Sequence, residues 1–544
     1  MGLLDALEGL EIAMSQAQEA TITACFPTQS FFHPGEAGGV HVTLAGRLPS
    51  RAILRVRVSE LRRTVLAADA QLEGPDQEVS FPLPTTPGKG YGVDVSLVDA
   101  STGRALHRRR TALDVQASWT DAPRYGFLSE FSPGEQYDAR ADKLLARHVN
   151  VVQFYDWMYR HYQYLPPSDV FTDALGRTLA LSSTQRAIAA LHHRQIATMA
   201  YGSVYGAEPE YALQHPDELL YDESGKPISL SNLFYLQDVR PGPWRDHILG
   251  QYESAIQTLA FNGIHADQYG FPPEAWDAHE NIVEMGPALA SMVGASQAAV
   301  AGTGGDGIIF NCVTNWPIRD TAAEPQLCTY IEVWPPYITL GQLADLVNGA
   351  KDLAPLRQVI LAAYMACASE TPDRAETATL LTSAAIHASG GFHLLLGEGT
   401  GMLVDAYYPK FKRPGSHFQQ RLVDHWSFIV HYGAYLFNRD LRHVEGDIQV
   451  HGPWPIHRAC PTFETVSLIN AHPDDLWDVL KKPPKLHRNV VVEAPSPSPP
   501  REVFVATPDG SPDAISVPFE HVAGKLRFVV PRVQTWSLAI IMRT

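Results

Sequence analysis

Asn262-Gly-Ile-His-Ala-Asp-Gln-Tyr-Gly270 and Leu327-Cys-Thr-Tyr-Ile-Glu-Val-Trp334 decide how the centre of this chain is read. Each is a short apolar run that stops on a carboxylate, Asp267 or Glu332, with aromatic residues beside it. Read as strands, both runs place an acid at their C-terminal end. In a parallel barrel that end of the sheet is where chemistry is done.

Working outward, six further runs have the same character: 125–131, 149–156, 196–201, 307–312, 358–364 and 391–397. Segments with apolar residues at helical spacing separate them, as in 139–148, 183–192 and 244–252. Ser183 is the expected N-cap of its helix. Eight strands with helices between them predict a (β/α)8 TIM barrel over residues 123–447. The excursion at 205–243, polar and rich in aromatics, is too long for a plain connection and is expected to be functional.

On either side the texture changes to period-2 alternation broken by Pro, Gly and Asp turns. Thr21-Ile-Thr-Ala-Cys25, Gly39-Val-His-Val-Thr-Leu44, Ile53-Leu-Arg-Val-Arg-Val58 and Tyr91-Gly-Val-Asp-Val-Ser-Leu97 predict an immunoglobulin-like β-sandwich over 20–122. Asn489–Glu493, Glu502–Ala506, Lys525–Pro531 and Thr535–Met542 predict a C-terminal β-sandwich over 448–544. Residues 1–19 read as a short amphipathic helical segment. Acidic residues stand where a signal peptide carries Lys or Arg, so the sequence as written is expected to be cytoplasmic, or secreted if it starts after a processed signal.

Composition narrows the function. The 544 residues suffice for about three or four domains at roughly 150 residues each. A net charge of -17 leaves no basic stripe for nucleic acid, and no run is long and apolar enough to predict a membrane span. The five cysteines are scattered, in no metal-ligand spacing, and are expected to be buried free thiols. No His-x-His pair follows the first strand and no phosphate-binding glycine loop follows the seventh or eighth. No metal or cofactor is expected. The glycine-rich run Gly397–Gly401 is expected to be a flexible loop beside the site.

Two acids on different strand ends can serve glycosidic bond cleavage, with the carboxyl groups about 5 to 5.5 Å apart in retaining enzymes. The two roles require environments that split the pKa values. Asp267, near His265, Gln268 and Tyr269 as donors, is the expected nucleophile. Glu332, between Ile331 and Val333 and beside Tyr330 and Trp334, is the expected general acid/base. Tyr155, Asp156, Trp157 and His161, at the second strand's exit, are candidate sugar contacts through carboxylate–hydroxyl bonds and ring stacking. Tyr201, His265, Tyr269, Asn311, Trp334, Asp405 and Tyr407 complete that set, with Glu130 a weaker candidate.

These residues resemble glycoside hydrolase family 66, the dextranases and cycloisomaltooligosaccharide glucanotransferases. The resemblance rests on Gln29–Gly35, Val152–His161, Met199–Ala207, Gly263–Gly270, Tyr330–Trp334 and Tyr407–Phe411. It implies a retaining double displacement on α-1,6-glucan, with the family's nucleophile on Asp267 and its acid/base on Glu332, and the same order of sandwich, barrel and sandwich. Cyclising members carry a carbohydrate-binding insertion in the barrel, for which the loops here look too short. Hydrolysis of dextran or isomaltooligosaccharides is therefore expected ahead of transglycosylation or cyclisation. A catalytically silent carbohydrate-binding protein is the reading from another class.

Overall fold

A computed structural model of the chain describes residues 20–49, 51–84, 86–270, 272–405, 410–446 and 448–543. The expected helix at 1–19 and the candidate Tyr407 lie outside the described residues. The structure is multidomain, and its centre is a curled eleven-stranded sheet.

Eight of those strands run parallel, each paired with its neighbours in chain order: β1 (Tyr125–Leu128), β2 (Val151–Phe154), β3 (Ala197–Ser203), β4 (Gly263–Asp267), β5 (Gly307–Val313), β6 (Thr329–Glu332), β7 (Val359–Ala362) and β8 (Gly391–His393). Parallel strands covered on both faces read as unbroken apolar runs, and β1, β2 and β7 are buried at every residue. Just past β8, Gly397 pairs in parallel with Phe127 of β1, and the chain then leaves the sheet by the strands Gly401–Asp405 and Lys410–Lys412.

A helix follows each of the eight strands, from Asp138–Leu145 after β1 to Ser416–His431 after β8, although the one after β5 is a single turn, Ile318–Thr321. Local chemistry sets their ends. Pro243 opens Pro243–Leu259 at a position where its missing N–H costs no intrahelical bond. Thr339 and Gln342 close a capping box on Leu340–Leu353. Ser183 is not the cap expected of it: Leu181–His192 starts earlier, at Ala180, and the Ser183 hydroxyl donates to the Ser132 carbonyl inside the protein.

The excursion at 205–243 is folded, with a three-stranded sheet of Gly206–Ala207, Ser229–Leu230 and Phe234–Leu236. Upstream, a three-stranded and a four-stranded sheet share one hydrophobic cluster between Ala20 and Val115. Downstream, an inner strand of a six-stranded sheet is buried on both faces. In Trp536–Met542, Trp536, Leu538 and Ile540 join the core around the parallel strands, while Ala539 and Ile541 pack towards the four-stranded sheet. Of the cysteines, Cys312 and Cys328 are buried as expected, but Cys25, Cys367 and Cys460 are only half-buried. All five are free.

Candidate active site

Strands β4, β5 and β6 are consecutive neighbours, which brings their C-terminal ends together. Asp267 ends β4 and Glu332 ends β6, and between them Asn311 of β5 turns its side chain to the same mouth. The Asn311 amide nitrogen donates to Asp267 Oδ1 at 2.7 Å and to Glu332 Oε2 at 2.9 Å. Those two oxygens therefore lie no farther apart than the two distances together. Facing oxygens this close are compatible with the roughly 5 to 5.5 Å carboxyl separation of a retaining pair.

Each acid has a second donor of its own. Tyr201 Oη of β3 donates to Asp267 Oδ2 at 2.7 Å, and Tyr364 Oη, just beyond β7, donates to Glu332 Oε1 at 2.9 Å. Burial pushes the Asp267 carboxyl up, while the hydrogen bonds from Tyr201 and Asn311 hold it back. Burial and then the charge of Asp267 push Glu332 up to about 7. Two enclosed carboxylates this close favour a single shared proton.

Across the mouth, Asp156 follows β2 with φ 41°, a left-handed conformation uncommon for a residue with a side chain. His161 links it to Glu208: His161 Nε2 lies 3.5 Å from Asp156 Oδ1, and Nδ1 lies 2.9 Å from Glu208 Oε1. Burial alone would push the imidazole down, but the hydrogen bonds and charges of Asp156 and Glu208 raise it to about 9. His161 is therefore an imidazolium at neutral pH. His265 is its opposite, pushed down to about 3 by burial and bonded through Nδ1 to Tyr125 Oη at 3.0 Å.

These groups surround a cavity of about 260 Å³. Comparison with known families matches glycosyl hydrolase family 66 over residues 28–540. The chain belongs to glycosyl hydrolase family 66. It is 26% identical over 387 residues to a cycloisomaltooligosaccharide glucanotransferase of Niallia circulans, covering 65% of this chain and 39% of that one. It is 21% identical over 483 residues to a dextranase of Streptococcus salivarius, covering 71% of this chain and 56% of that one. The chain thus spans well under two thirds of the length of these relatives. A crystal structure of a Paenibacillus sp. cycloisomaltooligosaccharide glucanotransferase complexed with cycloisomaltoheptaose shares the fold, with a TM-score of 0.86 at 20% identity, covering 96% of this chain and all of that one.

Within this family-66 chain the cavity gathers Tyr155, Asp156, His161, Tyr201, His265, Tyr269, Asn311 and Trp334 around Asp267 and Glu332. Other candidates lie elsewhere. Trp157 is fully buried beneath the floor, its indole N–H donating to the Tyr201 carbonyl and its ring against Phe261, because the turn at Asp156 sends the next side chain inward. Asp405 and Glu130 are outside the cavity lining, with Asp405 Oδ2 3.0 Å from Lys410 Nζ. The glycine-rich run is a brace as well as a turn: buried Glu398 accepts from the Ser129 and Glu130 amides and pairs with Arg140 at 2.8 Å. The donors expected for Asp267 also differ. His265 bonds Tyr125, and the Gln268 side-chain amide turns away to the Trp316 carbonyl, while the Gln268 backbone N–H does help to hold the Asp267 carboxyl down.

Several lining residues were not singled out from the sequence: Gln153, Tyr205, Phe234, Tyr364 and the Leu230–Leu233 turn. Tyr364 was within reach, since it closes the apolar run that contains β7. The turn was not, because only the folded excursion brings it over the mouth.

Proposed function

We propose that the protein is a retaining glycoside hydrolase acting on α-1,6-linked glucans, dextran or isomaltooligosaccharides, with Asp267 as nucleophile and Glu332 as general acid/base. The single observation that carries this reading is the Asn311 amide nitrogen, which holds one oxygen of each carboxylate. In the first step Asp267 attacks the anomeric carbon, the bond to the leaving oxygen breaks, and Glu332 gives that oxygen its proton. In the second, Glu332 takes a proton from water, whose oxygen displaces Asp267 from the anomeric carbon. The asymmetry of the pair, ionised Asp267 and protonated Glu332, is the starting state this sequence needs. Asp156, held beside His161 on the cavity wall, presents carboxyl oxygens that can accept two sugar hydroxyl hydrogen bonds.

The substrate class follows from what the relatives are named for, a dextranase and glucanotransferases of cycloisomaltooligosaccharides. We read the curled sheet as a closed (β/α)8 barrel over 123–447, between a sandwich at 20–122 and another at 448–544. The pairing of Gly397 with Phe127 supports closure, since one passage of chain touches β7 at its start and β1 at its end. Hydrolysis is preferred to cyclisation because, among the described residues, the connections between the eight strands contain no folded insertion larger than the small sheet after β3.

Asp267→Asn and Glu332→Gln should each lower kcat on isomaltooligosaccharides by about three orders of magnitude or more, read as reducing-end release. Azide should restore turnover in a small-nucleophile variant, Asp267→Gly, as glycosyl azide. Activity near wild type in either isosteric variant would remove the assignment. Products that lengthen or close into rings would replace hydrolysis by transfer with the same two residues.

A further inference from the structure

A second groove, of about 420 Å³, opens beside the catalytic cavity between the excursion at 205–243 and the loop after β4. Tyr269 lines both spaces, and Ser229 of the groove is followed in the chain by Leu230 of the cavity. The far wall is built, since the strand Glu274–Trp276 is tied to the excursion by reciprocal backbone bonds between Tyr221 and Trp276, at 2.8 and 2.9 Å. Asp222 is held by a turn in which its Oδ1 accepts from the Ser224 and Lys226 amides.

The groove's chemistry is mixed. It offers the half-buried rings of Tyr269 and Trp276, the carboxylates of Asp222 and Glu274, and the ammonium of Lys226. Among the described residues, the Trp276 indole, the Tyr269 hydroxyl, the Glu274 carboxylate and the Lys226 ammonium make no side-chain hydrogen bond or ion pair with protein. An aromatic face with acceptors and a donor around it suits a neutral polyol, whose C–H face stacks while its hydroxyls serve both signs of charge. A strongly charged ligand would meet a like charge on one wall.

We propose that this groove is a distal subsite that binds glucosyl units of the same chain beyond those in the catalytic cavity, with Trp276 as its stacking platform. The proposal rests on the α-1,6-glucan reading. A linkage through C6 has one more rotatable bond than a linkage to the ring, so the chain can bend around Tyr269 from one space to the next. Contacts made there, far from the bond that breaks, add affinity only to substrates long enough to reach them.

The test is calorimetric titration of Asp267→Asn with isomaltotriose and isomaltoheptaose, with and without Trp276→Ala, beside hydrolysis of both by the parent and Trp276→Ala enzymes. The heptaose should bind at least tenfold more tightly than the triose. Trp276→Ala should remove that advantage and leave the triose unchanged, and Trp276→Phe should keep most of it. An advantage that survives Trp276→Ala, an equal loss for both sugars, or no length advantage would overturn the subsite while the parent enzyme still cleaves glucan. A parent enzyme that neither binds nor cleaves either sugar would instead overturn the substrate reading on which the subsite stands.

Discussion

Asn311 makes the two carboxylates one unit, and the tyrosines at its flanks set the poise of each acid separately. Tyr364 stabilises the ionised form of Glu332, so Tyr364→Phe should raise its pKa above about 7. The alkaline limb of the kcat/KM profile, where Glu332 loses its proton, should then move up by about one pH unit, the worth of a hydrogen bond to a charged group. Tyr201→Phe should raise Asp267 in the same way and move the acid limb up, narrowing the profile from below. His161 gives a stability counterpart. Its raised pKa stabilises the fold fully below about 6.5, and that contribution is lost as pH rises through about 9. Denaturation of the wild type should show about 3 kcal/mol fading over that window, and Glu208→Gln should flatten it. Asp267 and Glu332 were legible because an acid that ends an apolar run is conspicuous in one dimension. Their donors were not, since Tyr201 and Asn311 arrive from neighbouring strands, and only register, Tyr201 beside His265 and Asn311 beside Tyr330, places them.

Among the elements, the exit of β2 shows where alternation stops being a guide. Tyr155, Asp156 and Trp157 are consecutive aromatic and acidic residues, and a pattern that continued past the strand would send Tyr155 and Trp157 to the same side. The left-handed turn at Asp156 breaks the pattern, so Tyr155 faces the cavity and Trp157 enters the core. Trp157→Ala should therefore behave as a core truncation, costing about 3–5 kcal/mol of stability by chemical denaturation. The KM of the folded fraction should stay near wild type, whereas a sugar-stacking tryptophan would raise it. The excursion at 205–243 follows the same rule at larger size. Its length marked it as functional from sequence, but its small sheet depends on pairings across the excursion, such as Gly206 with Leu236, that no local pattern encodes.

At the scale of the molecule, the flanking units were legible as alternation, and their attachment to the centre was not. The strand Trp536–Met542 was read from sequence only as one of a sandwich, and its covering on both faces emerges from the structure. The upstream unit is fastened differently, with one buried guanidinium beside bonds such as Ser30 Oγ to the Gln195 carbonyl and Trp119 Nε1 to Asp306. Arg124 donates to Asp114 at 2.8 Å and to the Ser30 carbonyl at 2.7 Å on the upstream side, and to the His148 carbonyl at 2.5 Å on the central side. Arg124 is 3% exposed and Asp114 2%, so neither charge has water to fall back on. Breaking such a pair from one side costs about 3–5 kcal/mol, because the partner is left buried and uncompensated. Arg124→Met should accordingly lower the first transition in calorimetry by several degrees and split it from the rest, since unfolding of joined domains need not be two-state. Arg124→Lys should recover little, lacking the planar fork that reaches three acceptors at once. Arg124→Met combined with Asp114→Leu should recover more than either single change, because it removes the stranded carboxylate as well. A single transition unchanged in all three variants would show that the other contacts, and not this ion pair, hold the upstream unit to the parallel strands.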